Sequence, residues 1–188
     1  MEERIKKMKK LGIFLADGCE EIEALTVVDV ARRAGIEVSM ISISDNLQIH
    51  GAHNIIFMAE RIAKETDFDS LDGIVLPGGM PGTIHLGESA CVQEVIRKFA
   101  KEGKLVSAIC AAPSVLGEAG LLEGKSATCY PGFEGKLLGA TPKAEGVVTD
   151  GTMITSRSMA TAITFALEIV RYFMGDEKVI ELSNSLVM

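Results

Sequence analysis

The sequence predicts an α/β fold, a doubly wound and mostly parallel sheet sandwiched by helices. Three observations carry that prediction. Short apolar runs alternate with longer amphipathic segments along most of the chain, the rhythm of strand–helix–strand units. The short runs are continuously apolar rather than alternating, as in strands covered on both faces. Glycines close the amphipathic segments before the next run begins, as at Gly35 and Gly103.

The elements follow in order. Leu11 to Ala16 reads as the first strand, and a helix runs from about Glu20 to Ala34. Glu37 to Ile43 is a strand, followed by a polar excursion through Gly51 and a further strand at Ile55-Ile56-Phe57. Gly73 to Leu76 precedes Pro77-Gly78-Gly79, and a helix from Glu88 to about Lys101 leads to a strand over Leu105–Ile109 that ends at Cys110. A helix from Ala111 to Glu118, a strand at Ser126–Cys129 and a short helix at Phe133–Leu138 come next. Asp150-Gly151 marks a hairpin between Gly146 and Thr155, because that dipeptide takes the positive φ angles of a two-residue turn. The last long helix spans about Ala160 to Met174 and stops at Gly175.

With 188 residues, 47% hydrophobic and 24% charged, the chain reads as one domain over 1–188, with residues 1–8 as a flexible N-terminal extension. A net charge of -7 without any Lys/Arg block argues against a nucleic-acid or anionic-membrane partner. The opening residues lack a signal-peptide core, and no apolar run approaches the roughly 20 residues of a membrane span, so a cytoplasmic location is expected. Cys19, Cys91, Cys110 and Cys129 are scattered with no CxxC pair, which predicts neither a zinc site nor a disulfide framework.

Doubly wound sheets place ligands beyond the C-terminal ends of their strands. Three segments fall there: Ala16–Glu23, Pro77-Gly78-Gly79 and Cys110. The strand-to-helix corner aims the Cys110 side chain out of the sheet, next to unpaired helix amides whose dipole favours thiolate over thiol. Gly78 and Gly79 let the backbone turn its amides inward, and with the amide of Ala111 they form an oxyanion pocket; an ordinary Pro-Gly-Gly turn fits the same residues. Glu20 and Glu21 read as carboxylates opposing a helix dipole. Glu23 falls on the inward face with Ile22, Val27 and Val30, where a buried carboxyl stays protonated and donates to a thiolate. The histidines, His50, His53 and His85, read as loop or surface residues, so no imidazole base is expected beside Cys110. Cys91 reads as core filler; Cys19 and Cys129 read as packing residues or secondary redox thiols.

Leu15-Ala16-Asp17-Gly18-Cys19-Glu20-Glu21-Ile22-Glu23, Val75-Leu76-Pro77-Gly78-Gly79, Ala108-Ile109-Cys110-Ala111-Ala112-Pro113 and Ile154-Thr155-Ser156-Arg157 together resemble the ThiJ/PfpI superfamily, in the branch of the human parkinsonism-associated protein and its bacterial relatives. The resemblance runs from about Lys9 to the C-terminus. It implies a flavodoxin-like sandwich, a homodimer, a nucleophile-elbow cysteine at Cys110, a protonated glutamate at Glu23, and pocket amides from Gly79 and Ala111. It further implies cofactor-free and metal-free chemistry on small aldehydes such as glyoxals, or repair of glycated protein. Oxidative-stress sensing through a cysteine sulfinate and chaperone action are alternatives, as is an intracellular cysteine peptidase or amidase. Peptidase-like relatives carry His where Ala111 stands, and many nearer relatives carry His where Tyr130 stands. Tyr130 is a poor base near neutrality. Arg33, and His53 reaching across the dimer, are expected at the pocket mouth, with Gly78 and Tyr130 along its lining.

Overall fold

A computed structural model describes residues 8–188, so the expected N-terminal extension, apart from Met8, lies outside the described residues. In chain order the elements are β1 (Lys10–Leu15), α1 (Glu21–Arg33), β2 (Glu37–Ser42), β3 (Gln48–His50), β4 (Ile56–Met58), β5 (Arg61–Ile62) and β6 (Gly73–Leu76). They continue with α2 (Gly82–Glu88), α3 (Ala90–Glu102), β7 (Leu105–Ile109), α4 (Pro113–Glu118), β8 (Ser126–Ala127), β9 (Thr141–Pro142), β10 (Val147–Asp150), β11 (Met153–Ser156), α5 (Ala162–Met174) and α6 (Asp176–Ser185).

Seven strands form one sheet in the order β10-β11-β7-β6-β1-β2-β5, with only the β10–β11 hairpin antiparallel. Numbered among themselves, β2-β1-β6-β7-β11 stand in the flavodoxin order 2-1-3-4-5, so the expected architecture is observed. The period-two geometry of β1 splits the core. Leu11, Ile13 and Leu15 face a layer holding Val27 and Val30 of α1 with Phe165 and Ile169 of α5, whereas Phe14 faces the opposite layer. That second layer is filled from α3 by Val92, Val95, Ile96 and Phe99, at the i, i+3, i+4, i+7 spacing of a helix stripe. Phe14, Phe99 and Phe165 are among the largest fully buried side chains, and truncating one to alanine costs about 3–5 kcal/mol.

The structure departs from the sequence reading at several places. The helix expected at Phe133–Leu138 is a single 3-10 turn at Glu134–Lys136, and the strand expected at Ser126–Cys129 is only Ser126–Ala127. The polar excursion is a hairpin: β3 and β4 pair antiparallel in a sheet of their own. A separate helix, α2, precedes α3, and Ser89 caps α3 by accepting from the Val92 amide. Gly175 ends α5 but not the helical C-terminus, because Asp176 and Glu177 supply the acidic first turn of α6. Ile22 is half exposed, so the inward face of α1 carries Glu23 with Ala24, Val27 and Val30 instead.

Candidate active site

The C-terminal ends of the adjacent strands β1, β6 and β7 bring three segments together. Cys110 follows β7 in the left-handed region at φ 64°, a conformation non-glycine residues avoid and hold only where their surroundings over-determine it. The surroundings are identifiable. The Cys110 amide donates to the Ser156 carbonyl at 2.9 Å, prolonging the β7–β11 ladder, and its carbonyl accepts from the Tyr130 amide at 2.8 Å. With both backbone groups engaged, the side chain turns toward the β6 loop.

There the amides of Gly79 and Ala111 lie near enough to the sulfur to lower the proton affinity of the thiol. The Gly78 amide points elsewhere, donating to Glu23 Oε2 at 2.9 Å. A β-carbon at position 78 would stand 2.6 Å from both the Cys110 β-carbon and Glu23 Oε2, and one at Gly79, where φ is 87°, would run into the Glu20 amide. Both glycines are therefore demanded by close approach. Glu23 is 1% exposed, and its Oε1 is buried with no hydrogen-bond partner in place.

Burial pushes the Glu23 carboxyl up to about 7; the Cys110 thiol and the Gly78 amide pull it down, and the charge of Glu20 adds to the rise. Burial likewise pushes the Cys110 thiol up, to about 12. The charge of Glu23 and its acceptance of the thiol proton reinforce that, and the Ala111 and Gly79 amides oppose it. Burial and the neighbouring carboxylate thus oppose the expected thiolate. Helix α4 has only six residues, and the amides that lower the thiol are those of Ala111, before the helix, and Gly79, in the β6 loop. The two groups interact, so their titrations are coupled. Glu23 is thus placed to accept the thiol proton when the sulfur attacks a carbon.

Other expected residues fall elsewhere. Arg33 ends α1, ten residues from Glu23 and so about 15 Å along the axis, and its guanidinium is engaged by Asp29 at 2.7 Å; the pocket-mouth role is corrected. Tyr130 lends its backbone amide to the elbow, while its ring is about half exposed. Arg157 donates to the Ala144 carbonyl. His85 stands on α2, its Nδ1 2.9 Å from the Asp17 carbonyl, and His50 is exposed. Cys19 and Cys129 are buried, with burial pushing both thiols up.

His53 lies against acids of its own chain, with Nδ1 3.1 Å from Glu21 Oε2 and 3.5 Å from Glu20 Oε2. Sequence reasoning gave Glu20 and Glu21 to the helix dipole and missed this. Glu21 is as buried as Glu23, yet its carboxyl lies below the ordinary range. Burial would raise it, but its own amide, the His53 amide and imidazole, and the Ile55 amide outweigh that. Only the sequence distance between Glu21 and His53 hid the contact. Glu20, Glu21 and His53 are also the one group among the described residues whose donor atoms, all within 4.8 Å of one another, could hold a metal ion.

Comparison with known proteins identifies the family and the fold. A family model described as the DJ-1/PfpI family matches residues 9–172. Protein DJ-1 homolog B of Arabidopsis thaliana is 37% identical over 96% of this chain, which spans 42% of that longer protein. Protein dj-1beta of Drosophila melanogaster is 36% identical over 96% of this chain and 97% of its own length. The solved structure of oxidized Toxoplasma gondii DJ-1 superposes with a TM-score of 0.92 at 30% identity, covering 95% of this chain and 98% of that one.

Proposed function

The chain belongs to the DJ-1/PfpI family, and from that premise we propose that it is a cofactor-free, cysteine-dependent enzyme acting on small reactive carbonyls such as methylglyoxal. The observation that carries the reading is the Cys110 elbow at φ 64°, facing a buried carboxyl with one free oxygen. Glu23 carboxylate takes the thiol proton as the sulfur attacks the aldehyde carbon, and the Gly79 and Ala111 amides hold the resulting oxyanion. Glu23 returns that proton to the alkoxide, giving the hemithioacetal and regenerating its carboxylate. Glu23 then moves a proton from the former aldehyde carbon to the neighbouring carbonyl carbon, while the hydroxyl proton passes to the neighbouring oxygen, leaving a lactoyl thioester. Water hydrolyses that thioester, releasing lactate and the free thiol. Methylglyoxal plus water becomes lactate, with no net oxidant or reductant.

Steady-state lactate production from methylglyoxal tests this reading. Turnover lost in Cys110→Ser and strongly reduced in Glu23→Asp supports it; turnover that survives Cys110→Ser refutes it.

A second reading, oxidation of Cys110 to a sulfinate in a stress sensor or chaperone, is favoured by the unpartnered Glu23 Oε1, a ready donor to a sulfur-bound oxygen when protonated. A mass gain of two oxygens on Cys110 under mild peroxide, blocked by Glu23→Gln, supports it. The peptidase or amidase reading lacks a base at Ala111 and has no observation in its favour.

A homodimer is proposed through the α1 face, where Ile22, Leu25, Ile55, Ile163 and Leu186 line an apolar groove of about 400 Å³. Sedimentation as a monomer at micromolar concentration would refute it. No helix among the described residues is long and apolar enough to cross a membrane.

A further inference from the structure

We propose that the cavity between α2, α4 and the turn at Glu134–Lys136 is a substrate subsite, which receives the apolar substituent of the carbonyl compound that Cys110 attacks. It favours aryl and branched alkyl glyoxals over methylglyoxal. The inference deepens the reading above and rests on Cys110 attacking a carbonyl carbon.

Three segments around the elbow each supply one wall of this cavity, a turn further along the chain. Gly79, whose amide lies near the sulfur, accepts at its carbonyl from the Thr83 amide at 2.9 Å. Ala111, whose amide does the same, accepts at its carbonyl from the Ser114 hydroxyl at 2.7 Å and the Ser114 amide at 3.1 Å. Tyr130, whose amide donates to the Cys110 carbonyl, accepts at its own carbonyl from the Phe133 amide at 3.0 Å. Thr83, Ser114 and Phe133 all line the cavity, which measures about 250 Å³. It therefore lies about one helical turn, roughly 5 Å, beyond the groups that surround the sulfur.

The lining selects an uncharged, apolar group. Met80, Ile84, Val115 and Phe133 supply the apolar walls, and Met80 and Ile84 are left about half exposed there. Thr83 and Ser114 are buried; the Ser114 hydroxyl is taken by Ala111, whereas the Thr83 hydroxyl has no hydrogen-bond partner among the described residues. Apolar walls with few polar groups are the usual lining of a small-molecule site. Glu88, Glu118 and Lys136 bring charges of both signs to its exposed edge, so neither an anion nor a cation is singled out.

A methyl group on the carbonyl is too short to cross that turn, whereas a ring on the same carbon reaches the walls and buries apolar surface against them. Gly87 offers a way to close the space. It lies within α2 and lines the cavity, and a β-carbon there meets only the Val115 γ-carbon, at 3.7 Å, an ordinary contact. A side chain added at 87 thus starts at the cavity wall without a clash, and leucine or alanine suits a helix better than glycine does.

The test uses two pairs of compounds. Phenylglyoxal and methylglyoxal are compared by kcat/KM for mandelate and lactate formation, and phenacyl bromide and iodoacetamide by the rate of Cys110 alkylation, resolved by peptide mass. Gly87→Leu is expected to lower the ratio of the aryl compound to its smaller counterpart about tenfold in both measurements, and Gly87→Ala to lower it by less. A general disturbance of α2 would slow both members of a pair alike and leave the ratio where it stands in the parent. Ratios unmoved by Gly87→Leu, with matched unfolding midpoints, overturn the proposal. Alkylation ratios that fall while neither glyoxal is turned over support the subsite and sink only the enzyme reading.

Discussion

Glu21 and Glu23 stand two residues apart on α1, 2% and 1% exposed, and they shift in opposite directions only because of what surrounds each. Glu21 is met by two amides and an imidazole of the β3–β4 hairpin and falls below the ordinary carboxyl range. Glu23 meets one glycine amide and a thiol and rises to about 7. The first region spends its carboxylate on holding a hairpin to a helix; the second keeps an oxygen unsatisfied beside the sulfur. The difference teaches that desolvation sets the potential for a shifted proton, and the count of donors decides whether the shift is realised.

The sharpest way to break the comparison is to remove the reactive partner. Cys110→Ser should abolish methylglyoxal turnover, a loss of about 10³-fold or more in lactate assays, and Glu23→Gln, which can donate but not accept a proton, should cost about 10²–10⁴-fold. If Glu23→Gln retains turnover, Glu23 is no more a base than Glu21.

Next is the pH dependence of stability. Glu23 has a folded value raised above its unfolded 4.5, so its stabilising contribution is complete below 4.5 and is lost as pH rises through about 7. Urea unfolding should show Glu23→Gln gaining on the parent across that window, by about 3 kcal/mol at most. Glu21 is lowered, so its contribution is present above 4.5 and disappears as pH falls through its folded value. Glu21→Gln should cost about 1–3 kcal/mol at neutral pH, the scale of a buried hydrogen bond to a charged group, and the deficit should shrink in acid.

Gly78→Ala sharpens the contrast from the loop side. Its methyl meets both Cys110 and Glu23, so a loss of about 1–3 kcal/mol with collapsed turnover is expected in unfolding and lactate assays. The smallest effect belongs to Arg33→Ala, which should leave turnover and the unfolding midpoint unchanged, since its partner Asp29 is exposed on the same helix.

Much of this was legible in the residues. β6 and β7 are continuous apolar runs with sharp ends at Pro77 and Cys110, and both begin and end where expected. The Asp150-Gly151 turn placed the β10–β11 hairpin. Cys110 and Glu23 were recognisable because motif order and helix periodicity point to the same pocket. Helix α2 was obscured by Pro81, Gly82 and Gly87, and α6 by the glycine before it. Arg33 was misplaced because a motif match does not say which end of α1 meets the strand ends. Helix amides beside the thiol can be counted along a chain, while the depth of burial that opposes them arises only on folding.

The bond from the Cys110 amide to the Ser156 carbonyl links positions 46 residues apart, and the Tyr130 contact lies between them. During synthesis the chain therefore completes β7 long before the groups that hold its corner exist. The sulfur reaches its working posture only after β11 has left the ribosome, so nascent and truncated chains carry an unformed site and an ordinary thiol.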